Sequence, residues 1–260
     1  MINSLWISKT GMEAQQMQLD VISNNLANVS TTGFKRANAV FEDLIYQNLR
    51  QVGSNSSEQS QLPTGLHLGL GVRTVATSRA FSQGSLQQTG NNLDIAIQGN
   101  GFFQITMPDG TTNYTRDGSF QVDNQGRLVT STGLPVANGV PVPANARSLA
   151  ISADGTVTAM IPGNSSPQAV GTIALASFIN TAGLEPRGQN LFAESAASGQ
   201  PNSGVPGANG LGTLSQGFLE TSNVNVVQEL ITMIQTQRAY EMNSKAIQTS
   251  DQMLQKLGQI

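Results

Sequence analysis

The sequence predicts an α+β fold, in which helices from both termini form one discontinuous, coiled-coil-like domain around a central, mainly antiparallel β-domain. Three observations predict it. An apolar residue recurs every seven positions at the start (Leu5, Met12, Leu19, Leu26) and again at the end (Val226, Met233, Tyr240, Ile247, Leu254). That spacing keeps one seam of a helix against a partner helix. Between these ends the chain is rich in glycine and in short apolar–polar alternations bounded by turn signals, the pattern of half-buried strands.

The first helix is expected from about Asn3 or Ser4 to Ser30, where the run VSTT and then Gly33 stop it. At 1.5 Å per residue it spans about 40 Å. Gly11 inside it costs roughly 1 kcal/mol relative to alanine, which points either to a close neighbouring backbone or to a tolerated weak spot. Residues 34–50 mix helical and extended signals, and QVGSNSSEQSQLPTGLHLGLG after them reads as an extended loop or hairpin punctuated by Gly53, Pro63 and Gly65. Residues 34–71 are therefore expected to be a linker carrying an exposed contact arm.

Strands are expected over 72–222. Pro108-Asp109-Gly110, Asp117-Gly118, Asn124-Gln125-Gly126 and Ala153-Asp154-Gly155 each sit between alternating runs, the arrangement of hairpin turns. Leu93, Ile95, Ile97 and Phe120, Val122 give their strands one buried face. Residues 181–217 lack periodic apolar positions and read as an irregular return path. The last helix is expected to start after Asn225, with Gln228 three residues on in capping-box spacing, and to run to about Leu257. Its companion row from Leu230 is interrupted by Gln237, Ser244 and Asp251. Such thin stripes need further neighbours to hold a long helix, so the terminal domain (1–33 with 223–260) is expected to order on assembly.

Composition narrows the function. Charged residues are 11% of the 260, well under the ~25% of ordinary soluble domains, and the polar surface falls to Asn, Gln, Ser and Thr. A net charge of −3, with 13 scattered Lys and Arg, offers no footprint for nucleic acid. There is no cysteine, which removes disulfides, thiolate metal sites and cysteine nucleophiles. No stretch approaches the ~18 apolar residues of a membrane span, and the first residues lack the layout of a cleavable signal.

No catalytic, metal or cofactor site is expected. The single His67 has no partners for a triad or a metal. Asp109, Asp117, Asp123 and Asp154 offer carboxylates for glycoside hydrolysis, but each stands by a turn, where Asp and Gly are selected for conformation. DGSFQVDNQG lacks the ligand pattern of a calcium loop. Gly99-Asn100-Gly101 lacks the third glycine and following helix of a phosphate cradle and reads as a bulge or tight turn. Asn24, Asn25 and Asn28 stand out, because Asn is a mediocre helix-interior residue. They are either a solvated face near a fraying end or amide contacts to neighbouring helices.

The segment ISNNLANVSTTGFKR, Ile22 to Arg36, resembles the N-terminal signature of the bacterial flagellar rod and hook proteins. ETSNVNVVQELITMIQTQRAYEMNSKAIQTSDQMLQKL resembles their C-terminal helix, and GNGFFQI and YTRDGSFQVD resemble their middle. The insertion from Tyr46 to Pro63, YQNLRQVGSNSSEQSQLP, is similar to the distal rod branch rather than to the proximal rod or hook proteins. The resemblance implies a non-enzymatic axial subunit, built into an open helical homopolymer with an inner export channel and the β-domain outside. It implies the proximal rod proteins, hook protein, rod cap and surrounding ring proteins as partners, a place spanning the periplasm, and export without a cleaved signal. It further implies that Tyr46 to Pro63 stiffens the rod. Leu5, Met12, Leu19 and Leu26 are expected to pack with Met233, Tyr240, Ile247 and Leu254, within and between subunits. A hook or proximal rod subunit, and an adhesin-like β-domain on a coiled-coil stalk, are the alternatives.

Overall fold

A computed structural model describes residues 2–53, 55–57, 60–61, 63–138, 140–143, 145–162 and 166–258. The chain divides into two compact units: Met1–Leu26, Ala37–Ser78 and Asn225–Ile260 form one, Ala27–Arg36 and Arg79–Val224 the other. This division departs from the boundaries read in the sequence. Residues 37–78 group with the helices instead of standing as a linker, and Ala27–Arg36 groups with the β-rich unit.

The helical unit is built on α1 (Ile2–Ala27) and α2 (Val226–Leu257). The Asn225 carboxamide oxygen accepts from the backbone N–H of Val227 and Gln228 at 3.1 and 3.3 Å, satisfying two orphan donors at the start of α2. Glu229 in the first turn and Lys256 in the last complement the helix dipole. The helices are antiparallel: Asn25 bonds Glu229 near one end, while Gln15 bonds Asn243 further along.

Between the helices in sequence, six strands make one long antiparallel hairpin. β1 (Ala37–Asp43) pairs with β6 (Val72–Arg79), β2 (Tyr46–Arg50) with β5 (Leu66–Gly69), and β3 (Asn55–Ser57) with β4 (Ser60–Gln61). The mixed signals of residues 37–50 thus resolve as strand, because the pairing partners lie well beyond any local window, Tyr46 with Gly69 and β1 with β6. Gly71, at φ 118°, passes so close to the Thr10 hydroxyl that only glycine fits. That hydroxyl donates to Ile7 O at 3.0 Å and accepts from the Val72 N–H at 3.4 Å.

The β-rich unit is organised around a six-stranded sheet. Its strands are β9 (Phe102–Thr106), β10 (Thr112–Thr115), β16 (Leu175–Ser177), β17 (Glu185–Gly188), β18 (Leu191–Ala193) and β19 (Asn202–Gly204), in the order β17-β18-β10-β9-β16-β19. A three-stranded sheet joins β13 (Ser148–Ile151), β14 (Thr156–Met160) and β15 (Gln168–Thr172). Pairs form between β11 (Phe120–Val122) and β12 (Leu128–Thr130), β8 (Ile95–Gln98) and β20 (Thr213–Gln216), and β7 (Leu86–Gln88) and β21 (Phe218–Glu220).

Neighbouring Phe102 and Phe103 point to opposite faces of β9, as the two-residue period requires. Phe103 joins Ile95, Ile97, Phe120, Leu128 and Leu175 in the main core, where each such side chain contributes about 1.5–3 kcal/mol by leaving water. Phe102 joins Tyr114, Phe178 and Phe192 in a second cluster, with edge-on rings such as Tyr114–Phe178 at 4.7 Å. Residues 181–217, read as irregular, contain β17, β18, β19 and β20. Strands of three or four residues, two of them polar, are too short to register as a period.

Candidate assembly surfaces and a buried ionic cluster

The contacts shown between α1 and α2 are polar: Asn25 bonds Glu229, Asn243 bonds Gln15, and Asn243 lies against Gly11. Thr10, Ala14, Val21, Ile22 and Asn25 are buried on α1, and Glu229 and Thr236 on α2. The neighbour at Gly11 is not a backbone: a Cβ there would meet the Asn243 amide nitrogen at 2.9 Å. Small residues let the helices approach, and amides fix their register.

The heptad rows lie beside this seam. Leu5, Met12, Leu19 and Leu26 are half-buried, as are Met233 and Ile247, whereas Val226, Tyr240 and Leu254 are exposed. Val227, Leu230, Ile231 and Ile234 are exposed too, at 42–66% of their surface. At 100° per residue their i, i+3, i+4, i+7 spacing places them roughly opposite Glu229 and Thr236. α2 therefore has an apolar face with no intrachain partner among the described residues.

Of the three asparagines, Asn25 acts as a bridge. Its carboxamide accepts from the Ala37 N–H at 2.9 Å, and donates to the Ala37 carbonyl at 2.8 Å and to Glu229 Oε2 at 3.3 Å. It thus clamps the start of β1 and the first turn of α2 onto the end of α1. Asn24 is exposed, and Asn28 accepts from the Thr31 hydroxyl at 3.2 Å. The interhelical hydrogen bond to Glu229 is made by Asn25.

The insertion expected to stiffen an assembly, Tyr46 to Pro63, forms one strand and the tip of the long hairpin. Ser54, Glu58, Gln59 and Leu62 within it lie outside the described residues. Tyr46 pairs with Gly69 and lies against it, and Asn48 pairs with His67. Ile45, Tyr46, Leu49, Val52, Leu66 and Leu68 are all exposed. A two-stranded ribbon with both edges open and this much apolar surface is a template for pairing or packing with another chain.

The turn carboxylates are occupied with their own backbone. Asp109, Asp117, Asp123 and Asp154 each accept from the N–H two residues on, at 2.9, 3.0, 2.9 and 3.1 Å, the Asx-turn arrangement. Hydrogen bonds from Thr111 hold the Asp109 carboxyl below the usual range, and the Arg127 N–H does the same for Asp123. His67 is exposed. No cluster of metal-ligating side chains occurs among the described residues, and no helix is long and apolar enough to cross a membrane.

Sequence reasoning missed a feature in the β-rich unit. Glu220, Lys35 and Arg116 are buried together, at 3% exposure or less. Lys35 Nζ donates to Glu220 Oε1 at 2.6 Å and to Ser82 O at 2.7 Å. The same carboxylate accepts from Arg116 at 3.3 Å and from the Gly84 N–H at 2.8 Å, and the Glu220 carbonyl accepts from the Gly33 N–H at 2.8 Å. Burial pushes the Lys35 ammonium below its ordinary value, with Glu220 opposing. Nearby, Asn223 accepts from the Arg36 N–H at 2.7 Å and donates to Ala80 O at 2.8 Å. The cluster therefore ties the segment between α1 and β1, the YTRDG turn and β21 at one point.

Three family models match the chain. A flagella basal body rod protein model covers residues 6–35, a flagellar hook protein FlgE/F/G D1 domain model covers 96–159, and a flagellar basal body rod FlgEFG protein C-terminal model covers 215–260. The flagellar basal-body rod protein FlgG of Buchnera aphidicola subsp. Acyrthosiphon pisum is 55% identical over 260 residues, the whole of both chains. Those of Borreliella burgdorferi and Bacillus subtilis are 49% and 39% identical, covering 97–99% of each chain. The chain belongs to the FlgG family of flagellar basal-body rod proteins.

In this FlgG-family chain each of the three matched ranges supplies one member of the ionic cluster: Lys35, Arg116 and Glu220. The long hairpin of residues 37–79 falls between the first two ranges.

Proposed function

We propose that the chain is the structural subunit of the distal part of the flagellar rod, polymerising into a hollow helical shaft that carries torque to the hook and encloses the export channel. Full-length similarity to basal-body rod proteins supports the setting. The apolar face of α2 around Leu230, Ile231 and Ile234, left bare within the chain, is the observation that carries the assembly mechanism. Burying it against copies of the same chain, with the rows of Leu5, Met12, Leu19, Leu26 and Met233, Tyr240, Ile247, Leu254, completes the inner tube. Repeated contacts between unlike faces of identical subunits propagate an open helix when the rotation does not close.

The Tyr46 to Pro63 ribbon braces neighbouring subunits and stiffens the shaft. Its ends adjoin the proximal rod proteins and the hook protein, with the rod cap and surrounding ring proteins as further partners. The subunit is not an enzyme, crosses the periplasm as part of the rod, and is exported without a cleaved signal. Electron microscopy of the concentrated full-length protein tests the assembly: open-ended tubes are expected. A discrete small oligomer that never elongates overturns the shaft reading and favours the adhesin-like alternative.

A further inference from the structure

Beside Gly99-Asn100-Gly101 the β-rich unit holds a cavity of about 430 Å³, a volume within the range of small-molecule sites. Phe81, Phe102 and Phe178 form its apolar wall, while Asn100, Ser177 and Arg116 supply polar groups. Arg116 is 3% exposed. Its Nη1 donates to Ile97 O at 3.4 Å and Glu220 Oε2 at 3.3 Å, and its Nη2 donates to Gly99 O at 2.6 Å. Its Nε finds no acceptor. Folded proteins rarely leave a buried donor unpaired, least of all on a charged group.

The charges do not balance either. Lys35 and Arg116 bring two positive charges against the single negative charge of Glu220, whose two oxygens are already engaged by Lys35, Gly84 and Arg116. With both bases protonated the cluster carries one more positive charge than negative, and Arg116 is its member that lines the cavity. The missing partner is therefore anionic, and it must place an acceptor beside a guanidinium edge. A planar carboxylate does this well. The three phenyl walls require an apolar body behind the charge, which a hydrated sulfate or phosphate lacks.

We propose that this cavity binds a carboxylate carried on a small aromatic or branched apolar group. The Arg116 Nε–H donates to one carboxylate oxygen, and the amide and hydroxyl of Asn100 and Ser177 lie on the same walls to serve the other. A free organic acid and the C-terminal carboxylate of a peptide ending in an apolar residue present the same chemistry.

Calorimetric titration of the full-length protein decides it, with phenylacetate as the free acid and a short peptide ending in phenylalanine as the chain-borne one. Saturable binding of at least one is expected, with phenylacetamide, the peptide amide and sulfate inert at matched ionic strength. Phenylacetate binding identifies a free-acid site, and binding of the peptide alone identifies a chain-end site. Arg116→Lys is expected to bind about tenfold more weakly, the loss of one charged hydrogen bond. Because Arg116 also helps hold the fold, Ser177→Leu is the second variant: it fills the cavity, leaves the Arg116 bonds alone, and is expected to abolish binding without lowering the melting temperature by more than a few degrees. Absence of saturable binding in the parent chain, equal binding of the amide or sulfate, or unchanged binding in Ser177→Leu overturns the proposal.

Discussion

Glu220 shows how much rests on one side chain in a protein with few charges. Its carboxylate faces two cations and the Gly84 N–H at a site closed to water. Removing one partner of a buried ionic group strands the others and costs about 3–5 kcal/mol. Glu220→Ala is therefore expected to lower the stability of the β-rich unit by about that amount, read as a shift in urea midpoint by tryptophan-independent circular dichroism. A variant as stable as the parent would mean the cluster contributes little.

Tyr114 supplies a pH signature. Burial, reinforced by the Glu194 carboxylate, pushes its hydroxyl up from 10.0 to about 12. The folded state thus holds its proton where the unfolded state has released it. Stability is intact below pH 10 and is expected to fall as pH climbs from about 10 to 12. Tyr114→Phe removes that decline, and a melting-temperature series across the window checks it. At this scale the sequence was least informative: charged residues read as solvated by default, and no periodicity distinguishes the buried Lys35 from the exposed Lys9. The turn aspartates were legible, because the Asx turn needs only residues within reach of each other along the chain.

Among the elements, both long helices were legible from their ends and their spacing, and α2 begins where the Asn225 cap put it. The face that pairs them was not. A heptad reader follows the greasy row, whereas the contacts between α1 and α2 use Gly11, Gln15, Asn25, Glu229 and Asn243, residue types a hydrophobic pattern passes over. The exposed face around Leu230, Ile231 and Ile234 has no partner among the described residues, and charge placed there or on the half-buried Leu19 tests the proposed contacts between subunits. Leu19→Asp and Ile231→Asp are expected to abolish incorporation into the rod while the circular dichroism of the β-rich unit stays unchanged. Normal swimming of either variant would remove these faces from the assembly.

The long hairpin escaped recognition as part of the helical unit because its strands pair far apart in sequence, β1 with β6 and β2 with β5. Its tip bears the insertion. Deleting residues 46–63 leaves the β1–β6 base in place and is expected to give shafts that bend where the parent is straight, measured as curvature in electron micrographs. Straight shafts from the deletion variant would refute the bracing role.

For the whole molecule, the fold class follows from where the patterns change: seven-residue spacing at the ends, two-residue alternation between. The fine division does not, since which segments belong together depends on contacts such as Asn25 to Glu229, 204 positions apart. Closing so long a loop carries an entropic cost that grows slowly with length but must be met before the helices reward each other. The β-rich unit, which holds both buried hydrophobic cores, is expected to protect its amides from hydrogen exchange more strongly than α1 and α2 in the unassembled protein. Equal protection would show that the helices are stable without neighbours.

The antiparallel course of α1 and α2 also sets a geometric rule for engineering. With Asn25 beside Glu229 and Gln15 beside Asn243, the opening of the first helix and the closing turns of the second arrive at the same end of the bundle. A short splice there, with new ends cut at the exposed Asp109-Gly110 turn, makes a circular permutant in which the helical pair becomes a contiguous hairpin.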